Sequence, residues 1–497
     1  MTPRFRSPLA LGLTALALAG SASLVACNGD KLTDLNTNPN NPVDAGGQFF
    51  FTNGARAIIN TFRGVTFDLT ATSLFAQHVA KRAYTEEDRY AIRPENVDAF
   101  WSVYAGSLAD LNRAAQKGLE AKNPAVYGPA LTLRSWGYGV ITDTWGDVPY
   151  AQALTGDATT GTVSPTYDAQ KDVYAGILAD LKTASDSLAK PGVTNTLKAA
   201  DPIYAGDVVK WRRFANSLRL RHGMRLSKVD PARAQAEVAA AFAAGVMQSN
   251  GDNATFAWPG DGTYNNPFNA NFRTRDDFRV SRTIVDTLKS LGDPRLTVYA
   301  QPTQNDKTVY AGLENGLFEK DANAAGPTTS KIGTFFSAVN SPMWYQTYSE
   351  VQFLLAEAAV RGWIPGGAAQ ARTYYENGIT ASLAQFGVAS GAAAYVASPK
   401  VAFNTGGSTS AQLQQIWLQK WIALFGQGSE AWAEWRRTGT PALTSVPASR
   451  IVGSATGIPR RLLYSAADAS VNGTGLAAAV ARQGADTYMT PVWWDKP

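Results

Sequence analysis

The chain has 497 residues, of which 45 are basic, 40 are acidic and 45% are hydrophobic, and its net charge is +5. This composition is typical of a globular protein, and no block of five or six like charges favours nucleic-acid binding. The length exceeds one compact core, so we expect several lobes or an extended helical array. The 13 Trp and 19 Tyr residues would be core filler or, where exposed, platforms for flat-faced ligands such as sugars.

The N-terminus has the pattern of a bacterial lipoprotein signal. Arg4 and Arg6 precede a short apolar segment at 9–20, and small residues lead to Cys27, the only cysteine of the chain. The apolar segment is too short to span a bilayer as a stable helix. We therefore predict a signal peptide at 1–26 and a Cys27 that carries palmitate-type acyl chains. The alternative, an ordinary signal with a chance cysteine, would leave a thiol with no intramolecular partner.

The next segments predict a tether followed by a helical body. Residues 27–48 are rich in Asn, Asp, Gly and Pro, which is typical of a tether, and the body occupies 49–497. The chain becomes helical from about residue 49, and Asn123 with Pro124 has the pattern of a helix N-cap and first-turn proline. Apolar periodicity predicts further helices at 98–122, 124–142, 167–189, 211–227, 281–291, 349–361, 367–386, 411–425 and 429–437.

Helix pairing defines the expected fold class. Residues 349–386 form a helix–turn–helix unit of tetratricopeptide size, although the strict consensus does not recur at a fixed period. Residues 246–340 instead hold Gly, Asn, Thr, Pro and scattered aromatic residues with weak periodicity, which predicts an irregular lobe. We therefore expect a mainly α fold with a helical scaffold at 49–245 and 341–440. The tail at 441–497 is expected to be mostly coil.

Motifs for catalysis or metal binding are scarce. The two histidines, His78 and His222, give no metal-binding pair, and there is no Cys cluster, nucleophile elbow or Walker motif. We predict no metal and no cofactor, and we expect both histidines to be structural. Neighbouring arginines would disfavour the charged form of His222. A glycosidase carboxylate pair leaves no local signature, so Asp143 and Asp147 are the alternative pair, although a structural role at a helix end and turn is favoured.

Arg436 and Arg437 lie in a run that mixes aromatic and charged residues, at 432–438. Such side chains could hold an anion. Arginines at a helix end more often bond carbonyl groups or carboxylates, and we favour that structural role.

Ten short segments follow one another in the order of a known family. They are residues 34–40 (DLNTNPN), 100–104 (FWSVY), 142–150 (TDTWGDVPY), 211–218 (WRRFANSL), 350–358 (EVQFLLAEA), 361–362 (RG), 419–425 (QKWIALF), 434–441 (EWRRTGTP), 458–464 (IPRRLLY) and 490–495 (TPVWWD). Together they resemble the SusD/RagB superfamily of outer-membrane nutrient-binding lipoproteins, in the SusD-like branch distinct from the starch-binding prototype. Each segment is weak alone, but their shared order is specific.

The resemblance implies an α-α superhelix of tetratricopeptide-like pairs that carries an irregular lobe. It implies a non-enzymatic lid of a SusC-like TonB-dependent transporter, which binds a nutrient, usually an oligosaccharide and in some relatives a peptide. It also implies a lipid-anchored position on the outer membrane, facing the exterior. Export to the surface is favoured by acidic residues after the cysteine, and here only Asp30 qualifies. The alternative function is a lipid-anchored glycan hydrolase that uses a carboxylate pair.

The resemblance does not transfer a ligand site, so candidate residues come from chemistry. A site that captures sugar needs flat apolar faces and forked hydrogen-bond donors. Residues 81–96 and the loop at 258–278 combine these features. The candidate ligand-binding residues are Arg82, Tyr84, Arg89, Tyr90, Trp258, Tyr264, Asn265 and Trp344.

Overall fold

A computed structural model describes residues 45–155 and 164–496. The predicted signal peptide at 1–26, Cys27 and nearly all of the tether at 27–48 lie outside the described residues. Contacts within the chain set residues 1–46 apart from the unit that begins at Gly47, and the description below concerns that second unit.

Long helices dominate the described residues. Helices of ten or more residues are α1 Gly47–Arg63, α2 Ala109–Glu120, α3 Pro124–Trp145, α4 Gln170–Leu188, α5 Val208–Arg225, α6 Pro231–Ala244, α7 Arg282–Leu291, α8 Tyr348–Val360, α9 Gly367–Gln385, α10 Thr409–Ala423, α11 Gly428–Thr438 and α12 Gly473–Gln483. From α1 to α6 each helix packs against the next, and α8 packs against both α9 and α10. The mainly α, tetratricopeptide-like fold class is confirmed.

Local sequence explains where these helices begin and end. The Asn123 side chain accepts a hydrogen bond from the Ala125 amide at 3.2 Å and caps α3, as predicted. The helix continues three residues beyond the predicted end at 142, to Gly146, whose φ of +88° breaks it. The Asp207 carboxylate caps α5 by accepting from the Val209 and Lys210 amides.

The structure differs from the sequence predictions in three places. The predicted helix at 98–122 is divided into Pro94–Trp101, a π-helical turn at Tyr104–Leu108 and α2, because Gly106 has non-helical backbone angles. Helix α6 was not predicted, since its alanine-rich face has few large apolar residues to mark a period. The tail at 441–497, expected to be mostly coil, also contains α12 and the shorter helix Ala466–Val471.

The region between α6 and α8 is irregular, as predicted. It contains the short helices Pro267–Thr274, Leu296–Tyr299, Glu319–Ala324 and Thr334–Ser337 around α7. Within the described residues the strands are β1 Val79–Lys81, β2 Val148–Pro149, β3 Tyr167–Asp168, β4 Ala254–Phe256, β5 Phe278–Val280 and β6 Met343–Gln346. They form three antiparallel pairs, β1 with β5, β2 with β3, and β4 with β6. The first of these pairs fixes the lobe to the loop that follows β1.

Aromatic residues fill most of the core. The tryptophans that are entirely buried are Trp136, Trp145, Trp211, Trp421, Trp432 and Trp494. Burial of rings of this size contributes strongly to stability, and edge-to-face contacts add to it. Both histidines are structural, as expected, since His78 and His222 are completely buried. The His78 ring donates to the Trp421 carbonyl at 3.0 Å and packs against the Trp421 and Phe425 rings.

Candidate functional site

The loop after β1 is held beside the segment before β5. In the antiparallel register Lys81 lies opposite Phe278, and the Arg82 amide donates to the Asp277 carbonyl at 2.7 Å. The Arg82 guanidinium reaches the Asp276 carboxylate at 2.5 Å. Because of this pairing, residues about 195 positions apart in sequence share one surface.

Tyr84 is the exposed aromatic residue of this surface. It has a left-handed backbone conformation, with a φ of +53°, and 46% of its surface is exposed. Three cationic groups lie near its ring, Arg275 at 5.0 Å from the centroid, Arg93 at 5.9 Å and Lys81 at 6.0 Å. These distances fit cation–π attraction, which orients the ring. The half-exposed ring is called the Tyr84 platform here, and its cationic neighbours are called the rim.

A groove adjoins the Tyr84 platform through Arg275, which belongs to both. Its volume is about 230 Å³, smaller than the roughly 300–1,000 Å³ typical of drug-sized pockets. Apolar and charged side chains both contribute, and its lining consists of Phe272, Arg275, Asp276, Phe278, Gln301, Lys331, Ile332 and Ser337. The combination of ring faces with hydrogen-bonding groups suits a polar ligand that has an apolar face, such as one sugar ring.

Asp276 organises the charges of this groove. Besides Arg82, its carboxylate meets Arg279 at 2.7 Å and Lys331 at 3.1 Å. Partial burial would raise the pKa of Asp276, but Arg279 and Lys331 outweigh that effect and lower it. The carboxylate is therefore ionised at neutral pH and accepts from three basic side chains.

Buried carboxylates fix the loop that carries Tyr84. The Lys81 ammonium and the Glu87 carboxylate form a buried ion pair at 2.7 Å. Asp88 accepts from the Lys81 and Gly316 amides, both at 3.0 Å, and from the Asn315 side chain at 2.7 Å. Burial raises the pKa of Asp88 to about 6 in spite of these donors. The platform thus stands on a preorganised loop, which reduces the entropic cost of binding.

Arg89 and Tyr90 attach the same loop to the tail. The buried Tyr90 hydroxyl accepts from the Val446 amide at 3.0 Å, and the Arg89 carbonyl accepts from the Val452 amide at 2.9 Å. The Arg89 guanidinium lies 5.3 Å from the centroid of the Phe318 ring. In this structure both residues hold the loop against the tail, and neither lines the groove.

Trp258 and Trp344 are in the core of the lobe. Trp258 is buried edge-to-face against Phe256, with ring centroids 4.9 Å apart. Trp344, on β6, is buried and lies parallel to Phe335, with centroids 6.2 Å apart. Neither ring presents a free face to a ligand in this structure.

Tyr264 and Asn265 lie at a different groove. Tyr264 is half-exposed, with the Arg56 guanidinium 5.3 Å from its ring centroid, and the Asn265 side-chain oxygen accepts from the Gly262 amide. This second groove, of about 520 Å³, is mostly apolar and is lined by Phe49, Thr52, Asn53, Arg56, Ala200, Pro202, Phe256, Ala257, Pro259 and Tyr264. It shares no lining residue with the first groove. The eight candidates therefore do not form one cluster.

Sequence reasoning missed Arg275, Asp276 and Lys331, which complete the Tyr84 surface. Arg275 and Asp276 lie inside the 258–278 loop that the sequence indicated, but nothing local distinguished them from other polar residues there. Their position depends on the pairing of β1 with β5, a long-range contact that apolar periodicity does not encode.

The alternative carboxylate pair is occupied by structural partners. Asp143 accepts from the Tyr174 hydroxyl and from the Trp494 indole at 2.7 Å, and it lies 3.4 Å from Arg225. Asp147 accepts from the Gln170 amide at 2.8 Å and from Arg482 at 2.6 Å. These contacts agree with a structural role for both residues.

Arg436 and Arg437 likewise bond protein groups, as favoured. Arg436 donates to the main-chain carbonyls of Asp143 and Arg460, both at 2.7 Å. Arg437 bonds the carboxylates of Glu357, at 2.6 Å, and Glu434. Their cationic heads are buried, so they stabilise the scaffold.

Two features are absent from residues 45–155 and 164–496. No group of three or more His, Cys, Asp or Glu side chains there is arranged to hold a metal ion. No helix in that part of the chain combines the length and the hydropathy that crossing a membrane requires.

The fold defines a class of protein, a helical-pair scaffold that carries an irregular lobe. The chain belongs to the SusD-like family, because the family model described as "Starch-binding associating with outer membrane" matches residues 39–465. No match is found among curated protein sequences.

Solved structures support the same family. A chitin-binding SusD homolog from Flavobacterium johnsoniae is 28% identical with a TM-score of 0.80, over 90% of this chain and 98% of its own. A second chitin-binding protein is 29% identical with a TM-score of 0.78, over 91% of this chain and 99% of its own. A SusD homolog from Bacteroides uniformis is 25% identical with a TM-score of 0.79, over 91% and 100% of the two chains.

Proposed function

We propose that this protein is a lipid-anchored, non-enzymatic glycan-binding protein of the outer membrane that captures oligosaccharide on the Tyr84 platform. The family description, with its starch-binding and outer-membrane terms, supports this proposal. The chitin-binding names of two relatives support a sugar ligand further. The observation that carries the proposal is the half-exposed Tyr84 ring beside a groove with apolar and charged sides.

The Tyr84 surface explains how a sugar would be held. The apolar face of a pyranose ring would stack on the Tyr84 ring, and its hydroxyl groups would meet Arg275 and the polar side chains of the adjoining groove. Stacking on an aromatic side chain is worth about 1–3 kcal/mol in comparable platforms. Because Asp88 and Glu87 already fix the loop, little of that energy is spent on ordering it.

The test is a comparison of the two grooves by calorimetric titration with chitin and starch oligosaccharides. We expect Tyr84→Ala to weaken binding about tenfold or more, since stacking is worth about 1–3 kcal/mol. The melting temperature should be unchanged, because the ring is half-exposed. Tyr264→Ala, which removes a similarly exposed ring from the second groove, is the matched control and should leave affinity unchanged. Loss of binding in Tyr264→Ala alone would move the site to the second groove, and no binding across a broad glycan panel would contradict the proposal.

The anchor and the partner form the second part of the proposal. Acyl chains on Cys27 would hold the body at the outer membrane, facing the exterior, as the lid of a SusC-like TonB-dependent transporter. The sequence pattern before Cys27 and the family's association with the outer membrane support this. Mass spectrometry of the mature protein from the membrane fraction should show acyl chains on an N-terminal Cys27, and the lipidated protein should co-purify with a large β-barrel in mild detergent. A mature protein whose Cys27 carries no lipid would contradict the anchor.

A further inference from the structure

Basic side chains outnumber carboxylates around the Tyr84 platform and its groove. The six basic residues are Lys81, Arg82, Arg93, Arg275, Arg279 and Lys331, and the carboxylates they contact are Glu87, Asp276 and Asp277. Buried Asp88, behind β1, adds one more negative charge at neutral pH. The cluster therefore keeps a net positive charge.

The net positive charge arises because single carboxylates pair with two or three basic side chains. The Asp276 carboxylate forms ion pairs with Arg82, Arg279 and Lys331, at 2.5, 2.7 and 3.1 Å. Glu87 serves both Lys81, at 2.7 Å, and Arg93, at 3.2 Å. One carboxylate cannot neutralise two or three cations, so each shared pair leaves positive charge near the surface.

The surplus faces solvent where a ligand would lie. Arg93, Arg275 and Lys331 have side chains that are 46%, 45% and 48% exposed. Arg93 and Arg275 flank the Tyr84 ring, while Arg275 and Lys331 line the groove. Exposed cationic groups thus lie beside the Tyr84 ring and along the groove.

We propose that the oligosaccharide bound at this site is acidic, carrying a uronic-acid carboxylate or a sulfate ester within reach of Arg275 and Lys331. This inference rests on the proposed glycan-binding function and specifies its ligand. Guanidinium groups bond carboxylate and sulfate oxygens through paired, charge-assisted hydrogen bonds. A groove of about 230 Å³ holds the charged ring, and neighbouring rings would continue across Tyr84.

The experiment compares ligands that differ only in charge. Oligogalacturonate would be titrated against its methyl ester, and sulfated chitin oligosaccharide against the unsulfated form, at low and high salt. We expect each acidic form to bind about tenfold tighter at low salt and to lose most of that advantage at high salt, because screening weakens exposed charges. The carboxylate and sulfate arms show which anion the site prefers.

Variants locate the effect. Lys331→Gln and Arg93→Gln should each weaken binding of the acidic form about threefold to tenfold, and clearly more than they weaken binding of the neutral form, because each removes one rim charge. Lys182→Gln is the matched control, since Lys182 forms an exposed ion pair with Asp186 on α4. Equal affinity for neutral and acidic forms would overturn the inference while leaving glycan binding intact. Absence of binding in both forms would contradict the proposed function itself. If the acidic forms still bind more tightly by the same factor in both rim variants, the anion does not bind at this site and the inference is overturned.

Discussion

Two clusters of arginine, carboxylate and aromatic side chains occur in this protein, and they differ in burial and in charge balance. One lies between α3, α5, α8, α10 and α11 of the scaffold and is called the buried network here. It consists of Asp143, Arg221, Arg225, Glu350, Glu357, Lys420, Glu430, Glu434 and Arg437. The other is the Tyr84 surface of the lobe. The same residue types stabilise the fold in one place and are available to a ligand in the other.

The charged groups of the buried network pair with one another. Arg225 meets Glu430 at 2.7 Å, Glu434 at 3.3 Å and Asp143 at 3.4 Å, and it lies 5.3 Å from the Trp494 ring centroid. A charge removed from water is stable only when opposite charges compensate it, and here neighbouring side chains of the scaffold do so. On the Tyr84 surface water screens the charges, and a surplus is tolerated.

Breaking the buried network should have the largest effect. Glu434→Gln removes the charge that faces Arg225 and Lys420, at 3.3 and 3.1 Å, and that also pairs with Arg437. The neighbouring cations would be left buried and undercompensated, so the free energy of unfolding should fall by about 3–5 kcal/mol. Urea unfolding at pH 7 measures this.

Glu376→Gln is the control for that measurement. Glu376 pairs with Arg372 one turn away on the exposed face of α9, and such pairs are worth about 0.3–0.5 kcal/mol. A loss below about 1 kcal/mol in Glu434→Gln would show that the buried network does not stabilise the scaffold in the way its geometry indicates.

His222 provides a pH-dependent test of the same network. Burial, helped by Arg221 and Arg225, lowers the pKa of His222 to about 3. Below pH 6.5 the His222 imidazole is protonated in the unfolded chain but stays neutral in the folded chain. The free energy of unfolding is therefore highest above pH 6.5 and falls as the pH drops towards 3. At pH 4.5 the loss for this one group is about 2–3 kcal/mol.

Urea unfolding of the unmodified protein and of His222→Gln between pH 7 and 4.5 measures the contribution of His222. Glu430, whose pKa is lowered to about 2 by its basic neighbours in spite of burial, loses stability only at lower pH. Burial also lowers the pKa of His78 to about 3, so His78 contributes a similar slope. Asp88, whose pKa is raised to about 6 by burial, gives a slope of opposite sign that both proteins share. His222→Gln should therefore reduce the loss of stability in this window by about 2–3 kcal/mol. An unchanged slope would mean that His222 accepts a proton in the folded protein.

The helices of the scaffold could be predicted because apolar periodicity and helix caps depend on residues that are close in the sequence. Apolar stripes located α4, α8 and α9, and the Asn123 cap located the start of α3. Where the local signal was weak, as in the alanine-rich α6, the prediction failed. Periodicity reports only which side of a helix is buried, and that sufficed for the fold class.

The site was less predictable because it depends on long-range pairing and on which rings are exposed. Tyr84 and Trp258 are both aromatic residues in loop-rich segments, yet one is half-exposed and the other is buried against Phe256. Arg275 and Lys331 reach the Tyr84 surface only because β5 pairs with β1 and the lobe folds over it. Loop composition identifies the ingredients of a site but not their arrangement.

Removal of a charge from the cationic rim of the lobe should have the smallest effect on stability, in contrast to the buried network. Arg93→Gln removes an exposed guanidinium from Glu87, but the buried Lys81 ammonium still neutralises that carboxylate at 2.7 Å. The free energy of unfolding should therefore change by about 0–1 kcal/mol, as for other exposed ion pairs. Lys81→Gln, which leaves Glu87 buried with only the exposed Arg93, should cost clearly more and serves as the contrast. Urea unfolding of both variants measures the difference, and a large loss in Arg93→Gln would show that the rim is part of the folding core and is not reserved for a ligand.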